Sequence, residues 1–182
     1  MKDIQAKDVM IPISRYVTIK KDSSLIDVLQ ALEENRSSKK EHAHRDAMVV
    51  DDAGNIIGKV TMIDIFSALE PNHKKVKSDA FESVLTEAFV QQAVRDFNLW
   101  MEPIHTICER GTKLMVTDVM HVPEKVEFIQ ETETLERALA EYVMGVHQPL
   151  IVKDGDKVTG VLRFGDVFEV VRESLLACKL EE

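Results

Sequence analysis

Two strings in the sequence place an aspartate three residues after a polar side chain, where a helix is predicted to begin. They are Thr61-x-x-Asp64 and Arg163-x-x-Asp166. A carboxylate accepts hydrogen bonds from O–H and N–H donors, and a helix N-terminus offers free N–H groups and a positive dipole end to an anion. Both strings therefore have the chemistry needed to bind a polar ligand.

The first string also has a purely local explanation. A threonine at the N-cap followed three residues later by an acidic residue resembles a capping box, and the helix dipole favours an aspartate in the first turn. Arg163 cannot cap a helix in the way that Thr61 can. The recurrence of the aspartate in a string without that cap favours ligand binding over the local explanation.

Basic residues precede two of the predicted strands and could contact an anion. They are His44 and Arg45 in the first half of the chain and His147 in the second. The planar guanidinium of Arg45 suits bidentate contact with a phosphate. The spacing of His42 and His44 could indicate a metal site, but their loop is charged and offers only Glu41 as an obvious further ligand. We expect a solvated loop there and no metal.

The composition excludes several classes of function. The formal net charge of −9 over 182 residues disfavours a nucleic-acid partner, because nucleic-acid binders usually present a basic surface. Cys108 and Cys178 fit neither a disulfide framework nor a metal-ligand spacing, which indicates a reducing compartment such as the cytoplasm. Long apolar runs and an N-terminal signal segment are absent, so no membrane partner is expected. The chain also lacks the common catalytic motifs, and we expect that the protein is not an enzyme.

The chain repeats itself in two ungapped blocks. Residues 7–29 align on residues 117–139, and residues 47–66 align on residues 149–168. The offset is 110 in the first block and 102 in the second, and the difference falls in the polar stretch 33–46. Such self-similarity indicates two copies of one structural unit. Matched positions include Asp8-Val9-Met10 with Asp118-Val119-Met120, and Gly58, Asp64 and Phe66 with Gly160, Asp166 and Phe168.

Each copy predicts the order β-α-β-β-α. Apolar residues at helical spacing follow a short β-prone segment, and two apolar runs joined by a Gly-containing turn indicate a hairpin before the closing helix. Ser24 with Asp27 fits a capping box at the first helix. We expect an α/β (α+β) fold in which the two copies pack as one pseudo-symmetric module, because one small sheet leaves apolar area uncovered. The predicted segments are 16–19, 25–32, 47–50, 56–60 and 62–69 in the first copy, and 126–129, 135–142, 149–152, 157–162 and 164–171 in the second.

The repeat resembles the CBS domain, named after cystathionine β-synthase, of which a tandem pair is called a Bateman module. The resemblance rests on Asp-Val-Met at the start of each copy and on the hairpin strands Val49–Asp52 and Ile151–Asp154. It rests also on the two strings that run from a glycine to Asp64 and to Asp166. No single string is decisive, but their combination occurs twice in the same order.

The resemblance covers roughly residues 5–70 and 115–172. It divides the chain into CBS repeat 1 over residues 1–70, a helical insert over 71–114, and CBS repeat 2 with a C-terminal helix over 115–182. Such modules bind AMP, ADP, ATP or S-adenosylmethionine in clefts between two repeats, require no other cofactor and do no chemistry themselves. They usually form homodimers and regulate a partner, so the resemblance implies a separate, unidentified regulated protein.

The resemblance also implies roles for single residues. Asp64 and Asp166 are expected to hold ribose hydroxyl groups, and Thr61 is expected to contact ribose or phosphate. Arg163 replaces the family's Thr or Ser, and it could either contact a phosphate or block its cleft. The first site would combine Thr61 and Asp64 with Glu133 and the region of His147, and the second would combine Arg163 and Asp166 with Ser23, His44 and Arg45.

The insert predicts helices of its own. A helix is expected over residues 79–101, with three phenylalanines on its apolar stripe and Trp100 near its end, and a short second helix is expected over 104–110. This apolar surface either packs on its own module or supplies a dimer contact or the docking surface of a partner.

Two functions of different classes remain open from the sequence. The first is a nucleotide-sensing regulatory module, which the repeated helix-start aspartate and the nearby basic residues favour. The alternative is a constitutive interaction or oligomerisation scaffold with empty clefts. Arg163 and Glu133 favour the scaffold, because they place a bulky side chain and a negative charge where the family has small hydroxyl residues.

Overall fold

The computed structural model describes residues 4–38, 44–70, 72 and 86–178. Both helices and strands occur within these residues, so the fold is a mixed α+β one, as the repeat predicts. The helices are α1 (Ala6–Val9), α2 (Leu25–Ser38), α3 (Met62–Leu69), α4 (Glu87–Asp96), α5 (Ile104–Gly111), α6 (Val116–Val119), α7 (Leu135–Val143) and α8 (Phe164–Ala177). The strands are β1 (Ile11–Pro12), β2 (Thr18–Lys20), β3 (Ala47–Val50), β4 (Ile56–Val60), β5 (Phe128–Gln130), β6 (Leu150–Asp154) and β7 (Lys157–Leu162).

The chain forms two compact units. The central unit comprises Thr18–His121, and the terminal unit combines Met1–Val17 with Val122–Glu182. The first seventeen residues, which the sequence groups with the first repeat, therefore belong to the unit that holds the second repeat. The division into repeats at residues 70 and 115 stays a prediction.

The central unit contains a three-stranded sheet in the order β2-β3-β4. β2 runs parallel to β3 with Thr18 beside Met48, and α2 makes the crossover that parallel strands require. β3 and β4 form an antiparallel hairpin. Beyond β4, Lys59 and His121 exchange two backbone hydrogen bonds of 3.0 and 2.8 Å. The segment that opens the second repeat thus completes the sheet of the first.

The terminal unit contains a four-stranded sheet in the order β1-β7-β6-β5. β5 runs parallel to β6, and β6 and β7 form the hairpin. β1 pairs antiparallel with β7, where Ile11 lies opposite Val161. The repeat offsets make Ile11 equivalent to His121 and Val161 equivalent to Lys59. Both units therefore use the same exchange, in which the opening segment of one repeat joins the last strand of the other.

Each unit buries one part of the apolar residues of its helices and hairpin and leaves the rest exposed. In α7, Leu135, Ala138 and Tyr142 are buried at the helical spacing that the sequence predicts. Val60 and Leu162 are buried at matching positions of the two hairpins. The buried apolar cluster of the terminal unit consists of Ala6, Ile129, Leu135, Ala138, Tyr142, Leu150, Val152, Leu162 and Val167.

Several predicted boundaries are wrong by one or two residues, and α2 and α8 continue six residues beyond their predicted ends. The strand predicted over 16–19 is β2, and it begins at Thr18 rather than Tyr16, because Tyr16 closes a preceding 3-10 turn through its backbone N–H. Likewise Val126 lies in a 3-10 turn, and β5 begins at Phe128. Pro149 follows a cis peptide bond and lies just before β6.

The long helix predicted for the insert is also wrong. Thr86 has extended backbone, and its side chain accepts a hydrogen bond of 3.2 Å from the N–H of Phe89. Thr86 is therefore the N-cap of a helix that begins at Glu87. One continuous helix over 79–101 is therefore not formed, and its predicted start lies outside the described residues. The second helix of the insert is confirmed as α5.

Candidate functional site

Thr61 and Asp64 form a capping box at the start of α3. Asp64 Oδ2 accepts hydrogen bonds from the backbone N–H and the hydroxyl group of Thr61, at 2.9 and 2.6 Å. Thr61 Oγ1 in turn accepts from the backbone N–H of Asp64 at 3.4 Å. The local explanation is thus correct for this pair. The capping bonds to the carboxylate use only Oδ2, and they hold the carboxylate in one orientation at a helix N-terminus.

His121 adds a second polar group beside this carboxylate. A ring nitrogen of His121 and a carboxylate oxygen of Asp64 lie within 4.8 Å of each other. The backbone pairing with Lys59 brings His121 there, because it places the residue after Asp118-Val119-Met120 next to β4. Sequence reasoning missed His121. Its position directly after the Asp-Val-Met string of the second repeat was the available signal.

Arg163 and Asp166 form a different arrangement at the start of α8. Arg163 Nε donates to Asp166 Oδ2 and Arg163 Nη2 donates to Asp166 Oδ1, both at 2.7 Å. The two side chains are only 17% and 18% exposed. This is a bidentate guanidinium–carboxylate fork, which is stronger than a single neutral hydrogen bond. The two strings therefore do not form equivalent sites.

The first-half residues predicted to contact a phosphate lie in the central unit. Ser23 lies in the turn before α2, and its carbonyl accepts from the N–H of Val116 at 2.9 Å. Arg45 is exposed. His44 is only 4% exposed, and its backbone N–H donates to Asn35 Oδ1 at 3.0 Å. The expectation of a solvated loop is wrong for His44, because this residue packs back on α2.

His147 lies in the terminal unit, just before β6. Its Nδ1 lies 4.0 Å from Glu127 Oε2, and Glu127 is buried. Glu133, which the resemblance places near a phosphate, accepts a hydrogen bond of 2.8 Å from the backbone N–H of Gln130. Its carboxylate thus stabilises the turn between β5 and α7.

A buried carboxylate anchors the insert to the end of α3. Glu70 is 3% exposed, its Oε2 accepts from the backbone N–H of Trp100 at 2.6 Å, and its Oε1 accepts from the N–H of Asn72 at 3.1 Å. Trp100 has a left-handed backbone with φ of 59°, an unusual conformation for a bulky residue. Arg110 adds hydrogen bonds to the carbonyl of Leu69 and to Glu102. These contacts determine where the indole lies.

The indole of Trp100 packs on α3 and forms one wall of an apolar groove. Its ring lies edge-on to Phe66, with centroids 6.2 Å apart and planes at 84°. Ile63, Phe66, Ser67 and Trp100 line a groove of about 440 Å³. Ile63 and Phe66 remain 62% and 54% exposed. The insert therefore packs partly on its own unit, and it leaves apolar surface open.

No helix within the described residues is long and apolar enough to span a membrane.

The CBS domain family model matches residues 6–71. No curated protein matches the chain. Among solved structures, CBSX2 in complex with AMP has a TM-score of 0.59 at 21% identity over 97% of this chain and 99% of its own. The CBS-pair protein CBSX2 from Arabidopsis thaliana has a TM-score of 0.58 at 18% identity over 96% of this chain and 99% of its own. The CBS domain of a bacterial CNNM/CorC family Mg²⁺ transporter, in complex with ATP, scores 0.56 at 17% identity over 94% of this chain and 89% of its own.

At these identities the similarity shows the fold, and the bound AMP and ATP are properties of those proteins. The matched region covers the leading segment, the first hairpin and α3, including Thr61 and Asp64. The similar structures extend over nearly the whole chain. Residues 6–71 therefore match the CBS domain, and the chain as a whole has the fold of the CBS-pair proteins.

Proposed function

We propose that this protein is a regulatory module that binds an adenine nucleotide and signals to a separate partner. AMP, ADP, ATP and S-adenosylmethionine are the candidate ligands, and binding requires no other cofactor. The observation that carries the proposal is the carboxylate of Asp64, which Thr61 orients at the N-terminus of α3. Such a carboxylate can accept a pair of ribose hydroxyl groups, and the helix N-terminus favours a nearby phosphate.

The family fold supports the proposal, and so does the local chemistry around Asp64. Two CBS-pair structures with this fold hold AMP and ATP. His121, close to the carboxylate, supplies a further polar group that can orient a ribose or a phosphate. His147 is the residue of the second repeat that we assign to the same ligand, as the family's pattern of sites completed across two repeats implies.

Regulation without chemistry follows from the same proposal. A ligand that binds one arrangement of the module better than another shifts the population, and a partner protein can read that shift. We assign the protein to the cytoplasm and expect a homodimer, with the exposed apolar side chains of α3 and α8 as its contact. Phe66 and Phe168 occupy equivalent positions of these helices, and each is 54% exposed.

Isothermal titration calorimetry with each of the four ligands tests the proposal. We expect saturable heat with at least one of them at millimolar concentration or below. A chain that remains folded by circular dichroism and gives no heat with any of the four contradicts the adenine-ligand proposal. Titration with GTP is the specificity control for ATP, because GTP has the same triphosphate and ribose as ATP but a different base.

The alternative function, a constitutive interaction scaffold, is favoured by one specific observation. The groove lined by Ile63, Phe66 and Trp100 is apolar and open, as an interface for another protein would be. The scaffold predicts a stable oligomer that no nucleotide alters. Phe66→Glu would dissociate it, whereas the nucleotide sensor predicts ligand binding whatever the state of assembly. The calorimetric titration, repeated on Phe66→Glu, distinguishes the two, because only the sensor binds a nucleotide and it should do so in this variant as well.

A further inference from the structure

The fork between Arg163 and Asp166 occupies the approach that a ribose needs. A cis-diol binds a carboxylate by donating one O–H to each oxygen, from the side that both oxygens face. The guanidinium of Arg163 donates one N–H to each oxygen of Asp166 in the same manner, at 2.7 Å each. A carboxylate has one such bidentate approach, so the diol and the guanidinium compete for it.

The first repeat differs at this point. Thr61 reaches Asp64 from the helix cap and contacts only Oδ2. A threonine is neutral and short, and its capping geometry is directed along the backbone rather than across both carboxylate oxygens. The equivalent position therefore orients the carboxylate in the first repeat and covers it in the second.

The fork is also difficult to open. Both side chains are more than four-fifths buried, and removing one member of such an ion pair from the other leaves an uncompensated charge in a poorly solvated place. The fork uses two of the five guanidinium N–H groups, so Arg163 can keep Asp166 covered whatever its other N–H groups contact. A ribose would have to displace a charged bidentate donor with two neutral hydroxyl groups, which make weaker hydrogen bonds.

We propose that Arg163 determines nucleotide occupancy, by keeping Asp166 from taking a ribose diol. This inference rests on the proposed function, because it concerns which helix-start carboxylate receives the nucleotide. It assigns ribose binding to the repeat with Asp64 and makes the two repeats unequal. It also gives Arg163 the role of closing the carboxylate of its own repeat.

The test is the stoichiometry of ADP binding, measured by calorimetry on the full chain. Arg163→Thr installs the residue of the first repeat and frees the carboxylate, so we expect one additional nucleotide per chain. The double variant Arg163→Thr, Asp166→Asn should lose that gain. Arg172→Thr is the matched control, since Arg172 Nε donates an exposed hydrogen bond of 2.7 Å to Glu169 Oε2 on the same helix, and it should leave the stoichiometry unchanged.

A second readout identifies the ribose as the group that Asp166 takes. The additional site should fill with ADP but not with 2′,3′-dideoxy-ADP, which lacks the diol. Arg163→Gln, which keeps a polar side chain and removes its charge, serves as the second variant if Arg163→Thr melts below the assay temperature. It should gain the same site.

The outcomes separate this inference from the proposed function. If the unchanged chain binds ADP and neither Arg163 variant gains a site, the inference is wrong and the proposed function stands. Loss of binding in both Arg163 variants would identify Arg163 as a phosphate ligand and also overturn the inference. If neither the unchanged chain nor the variants bind any adenine nucleotide, both statements are wrong.

Discussion

Met10 packs its sulfur against Gly160, so that the string opening the first repeat lies on the last strand of the second. A Cβ atom added at Gly160 would lie 2.5 Å from Met10 Sδ and 2.7 Å from the carbonyl oxygen of Ile11. The central unit repeats this contact between Met120 and Gly58, where the added Cβ atom would lie 2.6 Å from the sulfur. The glycines of the two strings are thus required by packing, independently of any ligand.

Alanine at these two glycines should destabilise the protein to different degrees. At Gly160 the Cβ atom meets backbone that cannot move away, whereas at Gly58 the nearest backbone atom, His121 O, is 3.3 Å distant and the Met120 side chain can turn aside. Overpacking of this kind lowers the free energy of unfolding by about 1–3 kcal/mol. We expect Gly160→Ala to lose stability at the upper end of that range and Gly58→Ala to lose less than Gly160→Ala.

Urea unfolding monitored by circular dichroism measures this difference. Met120→Ala should restore part of the stability lost in Gly58→Ala, because it removes the colliding side chain. Met10→Ala should restore less in Gly160→Ala, because the clash with Ile11 remains. Equal losses at the two glycines would contradict the packing described here.

Glu70 should be the residue through which the insert stabilises the central unit. Glu70→Ala leaves the N–H groups of Trp100 and Asn72 without their acceptor. We expect the free energy of unfolding to fall by about 2 kcal/mol, the usual penalty for a buried donor that loses its hydrogen bond. Glu70→Gln retains one side-chain oxygen and should lose less. The protein contains one tryptophan, so its fluorescence reports on this contact directly.

The native emission of Trp100 should move to longer wavelength in Glu70→Ala, as the indole leaves Phe66. Glu87→Ala is the control, because Glu87 accepts only a surface hydrogen bond from Gln91 within α4. It should change the unfolding free energy by less than about 0.5 kcal/mol. An unaltered emission maximum in Glu70→Ala would show that Glu70 does not position the indole.

The sequence predicts the fold well where the signal is local or repeated. The two hairpins, α2, α3, α5 and the capping boxes at Ser24 and Thr61 follow from periodicity and cap chemistry, and the structure confirms them. It does not predict which sheet the Asp-Val-Met segments join. A strand of two residues has no pattern of its own, and its partner is chosen by packing, as the contact of Met10 with Gly160 shows.

The candidate site is less predictable for a similar reason. The positions of Asp64 and Asp166 at helix starts were correctly expected, but a side chain as long as Arg163 can reach a phosphate or its own helix, and only packing decides between them. His44 is buried where its backbone N–H donates to the side chain of Asn35 in α2. The polarity of the neighbouring sequence predicts that His44 is exposed to solvent, and this prediction is wrong.

Asp27 should contribute stability that disappears in acid. The hydroxyl group of Ser24, and then its backbone N–H, hold the pKa of the Asp27 carboxyl below its ordinary value. Because the folded pKa is the lower one, this contribution is fully present above the unfolded pKa and is lost as the pH falls through the folded pKa. Ser24→Ala removes the hydroxyl donor and should bring the carboxyl pKa closer to its ordinary value.

The unfolding free energies of the unchanged protein and Ser24→Ala, measured across the acidic range, test this. The gap between them should narrow as the pH falls and Asp27 is protonated. A residual gap is expected, because the hydroxyl oxygen of Ser24 also accepts from the backbone N–H of Asp27 at 3.2 Å, whatever the pH. A gap that is independent of pH would contradict the assignment.

The central claim is that the carboxylate of Asp64 binds the ribose of an adenine nucleotide in addition to capping α3. Asp27 provides the matched control, because with Ser24 it makes the same three capping hydrogen bonds at the start of α2. Asp64→Asn and Asp27→Asn should therefore weaken the two helix caps comparably. Only the first should affect the ligand.

The most direct measurement is the affinity for ADP of these two variants beside the unchanged protein, by calorimetry. We predict that Asp64→Asn weakens binding by about tenfold or more, the usual effect of losing a hydrogen bond to a charged group, while Asp27→Asn binds as the unchanged protein does. Equal affinities in the two variants, or no binding by the unchanged protein, would contradict the claim.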